Sequence, residues 1–169
     1  TYAQAVLLIE QDGAFEIVEQ EMEKIKQICK AERAISVELA QDEKTAEELR
    51  RARRSALAAL ARMKPTTILE DATVPRSKIS DMVKAIRRIA QKYQVTICTF
   101  GHAGDGNLHP TCLTDARDEQ ELERVEQAFA DIFATAIALG GTITGEHGVG
   151  EMKAPYLEWK IGKEGIKAM

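Results

Sequence analysis

Two short polar segments constrain this chain most, Gly101–Pro110 (GHAGDGNLHP) and Gly145–Gly150 (GEHGVG). Together they hold all three histidines, and ten of the eleven glycines lie at or beyond Gly101. Ligand-type side chains among residues that permit unusual backbone angles mark a site. The first segment is flanked by β-rich runs, Val95 to Phe100 and Leu108 to Leu113. Between them stands Asp105-Gly106, the pair favoured in a two-residue type I′ hairpin turn. That turn predicts Gly104 opposite Asn107, Ala103 opposite Leu108 and His102 opposite His109. Both imidazoles then leave one face, with Cβ atoms about 4.5–5.5 Å apart. One divalent ion at about 2.0–2.1 Å from each nitrogen fits that separation. Helical ligands would instead sit at i and i+4. Pro110 is expected at a strand end or on an edge strand.

The same histidines could serve as hydrogen-bonding residues beside a turn. Asp105 reads as a turn residue rather than a ligand. Asn107 is open between orienting a ligand, touching a cofactor and flanking the turn. Two histidines leave an ion under-coordinated, and Glu146 would complete a two-histidine, one-carboxylate set with positions left for substrate. In an extended segment the side chain of His147 would point away from that of Glu146, which suits a general base better than a ligand. The competing reading makes Glu146-His147 part of a solvated helix-to-loop connection.

The 169 residues suffice for one domain with a core, expected to span 1–169. With a net charge of −4, non-specific nucleic-acid binding is disfavoured. The basic run Arg50–Arg54 is balanced by Glu43, Glu47 and Glu48 on a helix face. Cys29, Cys98 and Cys112 lack CxxC spacing and read as small core residues in a reducing compartment. No apolar run approaches the roughly 20 residues that span a bilayer. No signal peptide is visible. The chain begins at Thr1 without a methionine, and a piece of a longer polypeptide is expected.

In order, the pattern predicts a strand at Ala5–Glu10, then a helix with the stripe Phe15, Val18, Met22, Ile25 and Cys29. A strand follows at Ala34–Ala40, then a helix capped by Asp42 and running to about Arg62. Next come a strand at Thr67–Thr73 and a helix opened by Pro75 and Ser77, with Ile79, Met82, Val83, Ile86, Ile89, Ala90 and Tyr93 inward. After the hairpin, Asp118 caps a helix with Leu122, Val125, Phe129, Ile132, Phe133 and Ala136 inward. It stops at Gly140-Gly141. Thr142–Thr144 is a short strand, and the tail after Pro155 is helical through Trp159. This order predicts an α+β fold, an antiparallel sheet covered by helices, with two ferredoxin-like units in tandem. No glycine-rich nucleotide loop follows the first strand, so Rossmann and P-loop folds lack support.

Phe100–Pro110 and Gly140–Gly150, with Lys153 beyond, closely resemble the C-terminal (cap, or substrate) domain of FAD-linked oxidases. The nearest branch holds the FAD-binding subunit of glycolate oxidase and related D-lactate dehydrogenases, with D-2-hydroxyglutarate dehydrogenase as a cousin. Asp71–Arg76 (DATVPR) resembles another stretch of the family. The likeness spans essentially the whole chain, more weakly before Arg53. It implies a divalent metal, usually zinc, on His102, His109 and Glu146, with His147 as base and Arg53 as anchor for the substrate carboxylate. It also implies a small 2-hydroxy acid substrate whose hydride passes to FAD, held mainly by an N-terminal FAD-binding domain outside this sequence. The fragment alone is then expected to be inactive. Electron-accepting subunits are implied partners, and a cytoplasmic location is expected, with any membrane association made through those subunits. Two positions depart from the pattern. Arg50 stands after Leu49 where the family often has tryptophan, and Leu69 stands where the 2-hydroxyglutarate enzymes carry lysine, which argues against a dicarboxylate. The residues alone also leave open a metal-dependent hydrolase and a non-catalytic ferredoxin-like binding module.

Overall fold

A computed structural model describes residues 3–169. The chain forms two compact units, the first ending at Leu57 and the second being Ala58–Met169. In the first unit lie α1 (Phe15–Ala31) and most of α2 (Glu43–Leu60). Asp42 caps α2, its carboxylate accepting the N–H of Thr45 at 2.7 Å. The Arg50 guanidinium donates to Glu10, Glu43 and Glu47. Arg54 also donates to Glu47, so Arg50 and Arg54 of the basic run find partners on their own helix. The expected strands at Ala5–Glu10 and Ala34–Ala40 do not form. Both have the right side chains, but a strand also needs a neighbour for its backbone groups. Neither pairs with one among the described residues, and Val6 and Leu7 are 86% and 69% exposed.

The second unit is an α+β arrangement built on β4 (Asn107–Thr114), which is buried along its whole length. On one side β3 (Thr96–His102) pairs antiparallel with it from Thr96↔Leu113 to His102↔Asn107. On the other side β1 (Thr66–Leu69) and β2 (Ala72–Thr73) pair with it in one shared register, Thr66↔Thr114 and Ala72↔Leu108. They are thus the predicted strand Thr67–Thr73, interrupted at Glu70-Asp71. Pro110 lies opposite that interruption, in the central strand rather than at an edge. Its carbonyl accepts the N–H of Glu70 at 3.1 Å. Its nitrogen has no proton to donate, and the break in the neighbouring strand falls where a ladder bond would otherwise be needed.

The hairpin exists, but its turn is longer than predicted. Four residues, Ala103–Gly106, connect the strands, closed by Asp105 N–H to His102 C=O at 3.0 Å. Gly106 takes φ +75° and its carbonyl accepts the N–H of Val74 at 3.0 Å. His102 therefore sits opposite Asn107, and His109 opposite Phe100. The two histidines are diagonal neighbours on one face, not a direct pair.

Ala72, Leu108 and Cys112 face the helices α3 (Ile79–Tyr93) and α4 (Glu119–Ala138). Met82, Ile86 and Ile89 of α3 meet Val125, Phe129, Ile132, Phe133 and Ala136 of α4 in the core. These are the predicted stripes without Leu122, which is half-buried and outside the core cluster, and with the buried Ala85 and Ala128 added. A single 3₁₀ turn, Arg76–Lys78, leads into α3 after Pro75. Asp118 caps α4 by accepting the N–H of Glu121 at 2.9 Å. Beyond α4, Gly140 adopts φ +84° and only Thr142 bridges to Thr73. The expected strand Thr142–Thr144 shrinks to that bridge because the next backbone N–H groups turn to a carboxylate. The tail is α5 (Gly150–Ala168), broken at Gly162, with Tyr156 against Phe133. No helix among the described residues is long and apolar enough to cross a membrane.

Glu121 is buried on α4, which the apolar stripe did not foresee. It accepts from Lys64 at 2.6 Å and from the Thr114 hydroxyl at 2.9 Å. The Lys64 ammonium holds its carboxyl below the ordinary value of 4.5. A carboxyl lowered in the folded state stabilises fully above its unfolded pKa and loses that contribution as pH falls through its folded value. Glu121→Gln should therefore lower stability at pH 7, with the difference shrinking below about pH 4.5. Urea unfolding of both proteins from pH 7 to pH 3 measures this.

Candidate metal centre

The face of the sheet away from α3 and α4 is polar toward the hairpin, with Leu69 and Leu113 toward its far end. Along β4, Asn107, His109 and Thr111 alternate with the core residues Leu108 and Cys112. In the shared register Asp71 stands beside His109, and Thr73 beside Asn107. Asp71, fully buried, fixes the second glycine segment. Its Oδ2 accepts the backbone N–H groups of Gly145 (2.8 Å), Glu146 (2.8 Å) and His147 (3.1 Å). Its Oδ1 accepts from the ammonium of Lys153, in the first turn of α5. Burial alone would raise the Asp71 carboxyl. Lys153 and the three N–H groups overcome it and hold the group well below the carboxylate range.

With the backbone so turned, the Glu146 side chain reaches the histidines. Its Oε1 lies 3.0 Å from His109 Nε2 and 3.7 Å from His102 Nε2. The three ligand-type atoms all lie within 4.8 Å of one another. Four tetrahedral ligands at about 2.0–2.1 Å from zinc stand about 3.3 Å apart, and the two Glu146–histidine separations bracket that value. The donor set thus fits a divalent ion. His109 is buried, and its Nδ1 has no hydrogen-bond partner among the described residues. Burial pushes its pKa below the ordinary value, and the neighbouring His147 adds to this against the opposing pull of Glu146. The neutral ring is the form that ligates a metal.

Four of the five residues singled out from the sequence belong to the second unit and come together there. His102, His109 and Glu146 form the cluster as expected, although the histidines are diagonal rather than opposed. His147 departs from its predicted direction. The segment 145–147 is a bend around Asp71, not an extended strand, so its side chain does not leave on the opposite side from Glu146. Its ring stacks on His109 with centroids 4.8 Å apart, and its Nε2 lies 3.5 Å from Glu146 Oε1. Arg53, the fifth, is exposed on α2 in the first unit. Asp105 lies in the turn and Asn107 accepts the Thr73 hydroxyl at 3.0 Å. The parts sequence reasoning missed are Asp71 and Lys153. Their signal was the family-like stretch at Asp71 and a lysine soon after the last glycine, neither of which states a partner.

What the fold and site define is an α+β domain presenting a two-histidine, one-carboxylate cluster on the polar face of an antiparallel sheet. The family model for "FAD linked oxidases, C-terminal domain" matches residues 1–169. The chain belongs to that family. It is 73% identical, over its whole length, to glycolate oxidase subunit GlcD of Bacillus subtilis, covering 36% of that protein. It is 36% identical to GlcD of Escherichia coli over 89% of this chain and 30% of the relative. It is 27% identical to the mitochondrial D-lactate dehydrogenase [cytochrome] of Arabidopsis thaliana over 96% of this chain and 29% of the relative. The chain thus spans about a third of the length of these relatives.

Gly145 has no room for a side chain. A Cβ there would strike the Thr73 hydroxyl and come within 2.6 Å of Asn107 Cγ. Gly145→Ala should push the 145–147 bend away from β4 and weaken divalent-metal binding at least about tenfold. Overpacking of this kind costs about 1–3 kcal/mol in stability. Metal titration by calorimetry, with urea unfolding beside it, checks both.

Proposed function

We propose that this chain is the substrate- and metal-binding domain of a flavin-dependent dehydrogenase that oxidises a small 2-hydroxy acid, glycolate or D-lactate, to the 2-oxo acid. The observation that carries the reading is the convergence of His102, His109 and Glu146 from two separate glycine segments. The names of the relatives supply the substrate class, and Leu69 in place of a lysine argues against a dicarboxylate. A divalent ion, zinc in this reading, would be held by those three side chains and supply Lewis acidity toward the substrate hydroxyl and carboxylate. FAD, held mainly by another domain of the full-length protein, would accept the hydride.

The work of this chain's own residues is to bind, orient and move a proton. His147 Nε2 takes the proton of the substrate hydroxyl as the carbon–hydrogen bond gives up its hydride. Stacking on His109 holds the His147 ring beside the cluster, and the Asp71 contact to its backbone N–H fixes its place in the chain. The burial that keeps His109 neutral keeps it available as a ligand at neutral pH. Arg53 is proposed to bind the substrate carboxylate by a two-pronged hydrogen bond.

In the full-length enzyme, His147→Asn should retain the metal and lose about 10²–10⁴ in kcat, the range for a missing general base. His109→Ala should lose the metal itself. Elemental analysis alongside dye-linked assays with glycolate and D-lactate separates these outcomes. Full activity in His147→Asn would contradict the base assignment. Ester or amide hydrolysis by the zinc-loaded chain without flavin would favour a hydrolase instead.

A further inference from the structure

Lys153 is among the most buried charged residues of the second unit, with 3% of its surface exposed. It sits in the first turn of α5, remote in sequence from the residues it serves. Its ammonium bonds Asp71 Oδ1 and lies 3.2 Å from Glu70 Oε2. Both carboxylates come from the interruption between β1 and β2, where the ladder to β4 is broken. Taking a charge out of water costs several kcal/mol unless partners replace the lost hydration. Here one cation serves two buried carboxylates, and one of those carboxylates carries the backbone of Gly145, Glu146 and His147.

We infer that Lys153 is a positioning residue for the metal-binding glutamate: through Asp71 it sets the bend that aims Glu146 at His102 and His109. The chain of contacts is short. Lys153 Nζ holds one oxygen of Asp71, while the other oxygen holds the N–H of Glu146 itself at 2.8 Å. Removing the ammonium leaves Glu70 and Asp71 adjacent and buried without a shared cation. Asp71 then cannot keep one oxygen on the 145–147 bend in the same geometry. Lysine suits the task because a single flexible ammonium offers three donors from a point charge.

The alternative is that Lys153 merely docks α5. A second lysine on the same helix separates the two ideas. Lys160 Nζ donates to the Gly141 carbonyl at 2.7 Å and ties α5 to the loop after α4 without touching Asp71. Lys160→Met should therefore loosen helix docking while leaving the bend intact.

The inference rests on the metal-site reading, and the test separates them. Wild type, Lys153→Met and Lys160→Met of the full-length protein are compared by amide hydrogen exchange and by zinc titration against a competing chelator. In Lys153→Met the amides of Gly145, Glu146 and His147 should exchange at least about tenfold faster, with the β3–β4 ladder unchanged. Zinc affinity should fall about 10–100-fold, the usual loss on removing a group that orients a ligand. Lys160→Met should leave those three amides and zinc affinity at wild-type values. Wild-type protection of the three amides in Lys153→Met would overturn the positioning role, as would equal losses in Lys160→Met. Should Lys153→Met fail to fold, Lys153→Gln, which keeps a donor without the charge, is read in the same way. Failure of the wild-type protein to bind zinc would defeat the metal reading, while the exchange data would still decide the part played by Lys153.

Discussion

One carboxylate organises the candidate site. Asp71 is fully buried, yet each of its oxygens is used. Three consecutive backbone N–H groups and one ammonium converge on it. Such a concentration of donors offsets the cost of burying the charge, and it also spends the backbone bonds of residues 145–147 on a side chain rather than on a strand. The segment therefore stops being sheet after Thr142 and turns its side chains toward the histidines. Without this contact, Glu146 and His147 would belong to an ordinary glycine-rich connection.

The sheet prepares the place for that carboxylate. β4 has a partner on both sides, but the strand beside it breaks at Glu70-Asp71. A central strand would normally reject proline, because each interior residue must donate to a neighbour. Pro110 is tolerated where that neighbour is interrupted. The break also brings Asp71 beside His109 on the polar face, while the opposite face of the same strands seals against α3 and α4. One strand thus carries core residues and the ligand-type His109 on alternate positions.

Much of this was legible in the sequence, and the exceptions have identifiable causes. The helical stripes of α3 and α4 were read correctly because their periodicity is local and their burial follows from it. The two glycine-histidine segments mark a site by composition, while the set His102, His109 and Glu146 follows from hairpin geometry and the family resemblance. Register was misread at Asp105-Gly106, since that pair fits a two-residue turn equally well. The Val74 N–H to Gly106, the Asp105 N–H to His102 and the Gly106 N–H to Ala103 accompany the longer loop. The segments at Ala5–Glu10 and Ala34–Ala40 have strand-like alternation, but alternation cannot supply a pairing partner. Asp71 and Lys153 were missed as a pair because 82 positions separate them. A buried ion pair between a strand break and a distant helix leaves no periodic trace. The bend of His147 toward Glu146 was missed for the same reason.

If Asp71 is what gathers the ligands, its charge should matter more to the metal than to the fold. The direct measurement is the zinc dissociation constant of Asp71→Asn beside that of the wild-type protein, with helix and sheet content followed by circular dichroism. If Asp71 gathers the ligands, the spectrum is preserved and the affinity is about 10–100-fold weaker, as for lost support of a metal ligand. Equal zinc affinity in a folded Asp71→Asn protein would contradict that role.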